Sequence, residues 1–238
     1  DYNFSTEIQS IETEDKVFAD LFIEEKKQDS QLVDLLELEE KFLLDQMEID
    51  IGIAKNRPLR ENIFLLFIAI NLNIPIFIIG KPGCSKTLSV NLMDRSMSGK
   101  YSKKKFFQKF PALIKTWFQG SESTSNKDVE NLFEIAEGKA DIQNDEFYGE
   151  HPISLIFFDE IGLCEISDKK PLKILNFKFE YESKKKYLSF IGISNWILDA
   201  AKMNRGLTLS VPELHEVEED VEETCQEIVK SINKDLNR

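Results

Sequence analysis

The sequence is poor in the residues that mark several large classes of protein. Of 238 residues only three are cysteine, Cys84, Cys164 and Cys225, far apart and odd in number. That excludes a disulfide framework and points to a reducing compartment, here the cytoplasm. Histidine is scarcer, with only His151 and His215. Without a Cys/His cluster at zinc-ligand spacing, no structural metal site is expected. No secretory leader is expected either, since Asp1 to Asp15 is polar and acidic. The chain does not begin with methionine, which suits an excised fragment. Basic excess is absent: 30 Lys and Arg stand against 43 Asp and Glu, a formal charge of −13. A broad nucleic-acid surface would need the opposite balance. Lys100 to Lys105 and Lys184 to Lys186 are local basic runs, and Glu213 to Glu227 is strongly acidic. Each reads most simply as a solvated face or loop. No membrane span is expected. Ile63 to Ile79 approaches the minimum length for one, but Asn71, Asn73 and Pro75 interrupt it. A buried helix followed by a buried strand explains the same residues.

What is present is an alternation of helical stripes with short apolar runs. Residues 1 to about 30 read as a polar linking segment, and Leu32 to Met47 as a leucine-rich acidic helix. Asn56-Arg57-Pro58 can start the next helix, with Leu59, Ile63, Leu66 and Ile70 on one face. Ile76 to Ile79, Ile153 to Phe158 and Leu188 to Ser194 read as strands buried on both faces. Ile114 to Phe118 and Leu207 to Val211 are weaker strands. Pro171 to Phe179 reads as helix, and so does the region beyond Pro212, on the stripe Val217, Val221, Cys225, Ile228 and Ile232. Strands alternating with helices predict an α/β fold with a parallel sheet covered on both faces.

The stretch "IFIIGKPGCSKT", Ile76 to Thr87, carries the first chemical signal. A strand ending in Gly80, a turn through Pro82-Gly83, then Lys86-Thr87 opening a helix make a phosphate cradle. Backbone N–H groups and the helix start face the anion. Lys86 would reach the β and γ phosphates, and the Thr87 hydroxyl would bind Mg²⁺. Ser85 stands where the pattern asks for glycine, and the loop is expected to tolerate it if its φ stays negative. The second signal is "SLIFFDE", about 70 residues after the lysine. That spacing predicts a strand neighbouring the first. Asp159 at its end would hold Mg²⁺ through water, and Glu160 would act as general base. The plainer reading, two acids ending a strand at solvent, loses ground beside the loop upstream. Asn195, just past another strand, could orient water or read the γ phosphate. Arg205 offers a permanent planar charge suited to a transferring phosphoryl group, or else a surface ion pair.

The order of these motifs resembles an AAA+ ATPase module. More narrowly it resembles the mysterin family, giant RING-finger AAA+ ubiquitin ligases. The likeness rests on "GIAKNRPLRENIF" (52–64), "IPIFIIGKPGCSKTLS", "FFDEIGLCEISDKKPLKIL" (157–175) and "FIGISNWILDAAKMNRG" (190–206). That family also carries serine before the lysine, so Ser85 looks like a family trait. The resemblance implies a P-loop three-layer αβα fold. It implies an N-terminal helical linker (1–49), a large nucleotide-binding subdomain (50–212) and the start of a truncated helical lid (213–238). It implies ATP and Mg²⁺ as ligands. Gly80, Pro82, Gly83, Cys84, Ser85, Lys86, Thr87 and Leu88 would hold nucleotide, and Thr87 and Asp159 the metal. Glu160 would be the catalytic base, Asn195 sensor 1, and Arg205 a candidate finger serving a neighbouring site. The partners implied are neighbouring AAA+ modules of one parent chain or a ring, with ubiquitin-pathway proteins reached through the parent. ATP rather than GTP follows from the family alone. Departures are Asn176-Phe177 for a leucine-histidine pair, Ala200 for a proline, and a single helix after Pro212. Three functions stay open: Mg²⁺-dependent ATP hydrolysis, ATP held as a structural or switching ligand, and a scaffold whose acidic C-terminal helix binds a partner.

Overall fold

The computed structural model describes residues 32–142, 144–145, 148–182, 187–211 and 218–236. The expected linker over residues 1 to 30, Pro212, and Val217 of the C-terminal stripe lie outside these. The chain divides into two units, Asp1–Phe42 and Leu43–Arg238. In the first, residues 32–42 are helical, and Lys41 reaches Glu37 one turn back at 3.5 Å. This helix, α1, runs over residues 32–45.

The second unit opens with α2, Arg57–Leu72. Its start is set by Asn56, whose side chain accepts from the Leu59 N–H at 3.2 Å, and by Pro58 in the first turn. Its end is set by Asn73 in the left-handed conformation, φ 53°. Pro75 then bars further helix, and four apolar residues form β1, Ile76–Ile79, wholly buried. Helix α3 spans Lys86–Ser96, strand β2 Leu113–Gln119, and α4 Asn126–Ala140. Ser125 and Asp128 close α4 with a reciprocal capping box. A two-residue pairing of β3, Asn144–Asp145, with β4, Gly149–Glu150, interrupts the alternation, and no sequence pattern announces it. Then follow β5, Ile153–Asp159, the short helices α5, Leu163–Ile166, and α6, Lys173–Phe177, and β6, Leu188–Ser194. The expected helix over Pro171 to Phe179 is shorter, and Lys178–Glu182 continue it as a π turn. Helix α7, Ala200–Met203, β7, Leu207–Ser210, and α8, Glu218–Leu236, complete the unit.

The five long strands form one parallel sheet in the order β2-β5-β6-β1-β7. The expectation that the Asp159 strand neighbours β1 is therefore corrected, because β6 lies between them. Equal spacing along the chain does not fix lateral order, since a crossover may skip a strand and leave room for a later one. The inserted strand is the one that Asn195 directly follows, so its tip falls between the two motifs.

The strands are apolar without interruption because each of their faces meets a separate core. Ile76 and Ile78 of β1, with Leu155 and Phe157 of β5, pack with Leu59, Ile63, Leu66 and Ile70 of α2 and with Val90 and Met93 of α3. The intervening Phe77, Ile156 and Phe158 point the other way, onto Val129, Leu132, Phe133 and Ala136 of α4. Much of the phenylalanine content lines this second core. Phe133 stacks on Phe190 at 6.0 Å, and Phe77 meets Phe190 edge-on at 5.8 Å.

Helix α8 forms where the stripe beyond Pro212 predicts a helix, but its apolar face is not the one that docks. Val221, Ile228 and Ile232 are exposed, each 39% or more, while Asp220 is 5% exposed. Docking is polar. Asp220 Oδ1 accepts from the Arg57 N–H at 2.7 Å, and the Thr224 hydroxyl accepts from Asn56 Nδ2 at 3.2 Å. A carboxylate at the positive end of α2 takes up one of its unbonded N–H groups, and that outweighs the apolar stripe in setting the helix rotation.

Candidate functional site

The carboxyl ends of β1, β5 and β6 frame a cleft of about 450 Å³. Its walls are Pro82, Gly83, Ser85, Lys86, Thr87 and Leu88 on one side, and Asp159, Glu160, Ile193 and Asn195 on the other. Two sequence signals about 70 residues apart thus share one cavity. Its volume lies within the usual range for small-molecule sites, about 300–1,000 Å³.

The loop is shaped by two consecutive constraints. Gly83 has φ 91°, which only glycine adopts without strain. Ser85, the last residue before α3, has φ 56°. The condition set for serine, a negative φ, is not met. Its carbonyl must begin α3 by accepting the Ser89 N–H, at 2.9 Å, while the chain reverses from β1 into the helix. The left-handed well satisfies both needs, at a cost of about 1–2 kcal/mol for a residue with a side chain. Ser85 makes no capping bond in return.

Lys86 is 6% exposed and folds over its own loop, donating to the carbonyls of Gly80 at 2.5 Å and Lys81 at 2.8 Å. Burial pushes its ammonium below the usual lysine value, while Cys84, Glu160 and Asp159 pull the other way. An anion in the cleft would act in that second sense. Thr87 is exposed at the cleft wall. Cys84 faces away: its side chain is 3% exposed and belongs to the α2 core beneath the loop. Alkylation of this thiol would therefore report opening of the core rather than nucleotide.

Across the cleft, Asp159 Oδ1 accepts from the Glu160 N–H at 3.0 Å. Glu160 itself is left-handed, φ 53°. Asn195 Nδ2 donates to both of its carboxylate oxygens, at 3.4 and 3.3 Å. Two strained non-glycine residues thus face one cleft, a distribution typical of functional sites. Gly120, absent from the motifs, makes room for the second. A Cβ there would lie 2.6 Å from the Glu160 carbonyl oxygen and 2.9 Å from Cys164 Sγ. Its isolated position after β2 carried no signal by itself. Asn62 was equally silent: it lies fully buried on α2, yet it donates to the Cys84 carbonyl at 3.1 Å.

One candidate stands apart. Arg205 precedes β7, whose first residue pairs with Ile76 at the start of β1. It lies at the amino ends of the strands, about 13 Å along β1 from the cleft at 3.3 Å per residue. There it pairs with Glu180 at 2.6 Å and donates to the Ala201 carbonyl.

A sequence profile of the RNF213 AAA domain matches residues 52–218, which takes in both walls of the cleft. The chain belongs to the RNF213 AAA domain family. Its fold is accordingly that of AAA+ P-loop proteins, as the resemblance to mysterins led one to expect. The E3 ubiquitin-protein ligase rnf213-beta of Danio rerio is 34% identical over 223 residues, 91% of this chain and 4% of that protein. The human E3 ubiquitin-protein ligase RNF213 is 34% identical over 189 residues, 75% of this chain and 4% of that protein. This RNF213-family domain therefore spans about 4% of the length of these relatives. Among solved structures it is similar to the Thermotoga maritima RuvB Holliday junction branch migration motor. The TM-score is 0.42 at 13% identity, over 71% of this chain and 50% of that one, an overlap too loose to carry an argument.

Proposed function

We propose that this AAA domain binds ATP in the cleft and hydrolyses it by in-line attack of water on the γ phosphate. The observation that carries the reading is the shared cavity: a lysine and a hydroxyl at a helix start line the same space as Asp159, Glu160 and Asn195. Gly83, Ser85 and the start of α3 would offer backbone N–H groups to the phosphates. Lys86 would exchange the Gly80 and Lys81 carbonyls for phosphate oxygens, giving its buried charge a full counter-ion. Glu160 would take the proton of the attacking water, and Asn195 would hold that carboxylate in place.

The residues suit Mg²⁺. Among the described residues no three His, Cys, Asp or Glu are grouped to hold a metal by themselves. Mg²⁺ sites at nucleotides need only one or two protein oxygens, completed by phosphate and water. Thr87 and Asp159, on facing walls, would supply them. The ion would neutralise charge on the triphosphate.

A second reading, ATP held as a switching ligand with little turnover, suits this chain on its own, where an arginine that serves a neighbouring site would not complete its own cleft. The candidate finger lies at the far end of the sheet, so the cleft has no arginine of its own motif set. On either reading the domain would serve a cytoplasmic, mysterin-like ubiquitin ligase alongside further AAA+ modules.

The experiment is equilibrium titration with ATP, ADP and GTP, with and without Mg²⁺, on wild type, Lys86→Ala and Glu160→Gln. Lys86→Ala is expected to abolish ATP binding, and Glu160→Gln to retain ATP without turnover. Undiminished affinity in Lys86→Ala would sink the cleft assignment. Wild-type turnover in Glu160→Gln would place the base elsewhere.

A further inference from the structure

We propose that Asn62 is a positioning residue, the device that holds Ser85 left-handed and aims its N–H into the cleft. The inference rests on the nucleotide reading of the cleft and concerns how that cleft is kept in shape. Asn62 is 0% exposed, in the middle of α2 and beneath the phosphate loop. A polar side chain in such a place must be matched to a partner or costs stability. Only half of this one is matched. Nδ2 donates to the Cys84 carbonyl at 3.1 Å, while Oδ1 is buried with no hydrogen-bond partner. An apolar residue of similar volume would avoid the orphaned acceptor. The donated bond is what the amide contributes, and that bond ends on the loop.

Its geometric effect follows from the planarity of the peptide. In a trans unit the N–H points opposite to the C=O. The Cys84 carbonyl is drawn inward to α2, so the N–H of the same peptide, that of Ser85, is turned outward, on the side where Ser85 lines the cleft. The next carbonyl, that of Ser85, is fixed by the Ser89 N–H. With the peptides on both sides of its Cα pinned, Ser85 is held at φ 56°. Glycine would adopt that angle without a tether. A serine needs one, because the left-handed well is about five- to thirtyfold less populated for a residue with a Cβ. The tether and the serine therefore form a pair, and the pairing is what an experiment can read.

The test is a cycle of Asn62→Leu, Ser85→Gly and the double variant, in the whole chain. Two readouts are used: hydrogen exchange of the Ser85 and Lys86 amides without nucleotide, and ATP affinity by titration. Asn62→Leu is expected to speed exchange at these two amides and to weaken ATP binding about tenfold, with the melting temperature nearly unchanged. Adding Ser85→Gly to it is expected to restore most of the affinity, because glycine tolerates the angle untethered. A purely structural role predicts an equal loss in the single and double variants, with exchange raised throughout α2, and that result overturns the proposal. If Asn62→Leu does not fold, Asn62→Ser carries the same comparison. If wild type binds no ATP, the cleft reading fails, while the exchange measurement still decides the role of Asn62.

Discussion

Replacing Ser85 by glycine should stabilise the domain, and the size of the effect can be worked from the backbone. Ser85 sits at φ 56°, where a side chain costs about 1–2 kcal/mol. Glycine removes that cost in the folded state. It also adds freedom to the unfolded chain, worth about 0.4–1 kcal/mol in the opposite sense. No side-chain hydrogen bond is lost, since Ser85 makes no capping bond. The expected balance is a gain of about 0.5–1 kcal/mol, or about 2 °C in melting temperature for a domain of this size. Urea unfolding followed by circular dichroism resolves the difference if the slope is unchanged between variants. Lys170→Gly is a matched control. Lys170 is exposed, has φ 46°, and closes a turn by donating its N–H to Ser167 at 3.0 Å. It should gain a similar amount with no effect on ATP. Ser85→Gly is expected to keep its ATP affinity, since Asn62 already holds the peptide in its bound orientation. A net loss of 1 kcal/mol or more in Ser85→Gly, against a gain in Lys170→Gly, would show that the serine side chain contributes something the strain argument omits.

Two further expectations concern the periphery of the site. Asp220→Ala removes a buried carboxylate from the Arg57 N–H and should cost about 1–2 kcal/mol, with hydrogen exchange rising across 218–236 but little in the sheet. Unchanged exchange there would mean that the apolar residues of α8 hold it in place. Arg205→Ala breaks the pair with Glu180 and should leave ATP binding by this chain unaltered. In a longer protein carrying neighbouring modules it should slow turnover, and a turnover rate equal to wild type in that protein would retire Arg205 as a finger.

The residues that were legible in sequence share one property: their signal is local. Four apolar residues bounded by Pro75 and Gly80 define β1, and the helix start at Lys86 follows from the turn before it. The apolar run ending in Asp159-Glu160 is read in the same way. What was not legible depends on contacts between segments far apart in the chain. The insertion of β6 between β5 and β1 is decided by which crossover passes over which, and no window of residues contains that choice. The rotation of α8 was not legible either: its apolar periodicity shows a helix, but one buried carboxylate on the end of α2, 163 residues away, sets which face docks.

Ser85 shows the same limit at the scale of a single dihedral angle. From the loop alone, serine in a glycine position suggests either a lesion or a retained negative φ. The structure shows a positive φ instead, because the angle is set from outside the loop: by Asn62, 22 residues upstream of Cys84, and by the first turn of α3. Glu160 repeats the arrangement across the cleft. It too is left-handed, with Gly120 leaving room for its carbonyl and Asn195 holding its carboxylate. Each strained residue is thus supported by a residue from another element, Ser85 from α2 and Glu160 from the ends of β2 and β6. Strain at one wall of the cleft can then be relieved by substitution without disturbing the other. Ser85→Gly and a substitution at Gly120 are therefore expected to act additively on stability.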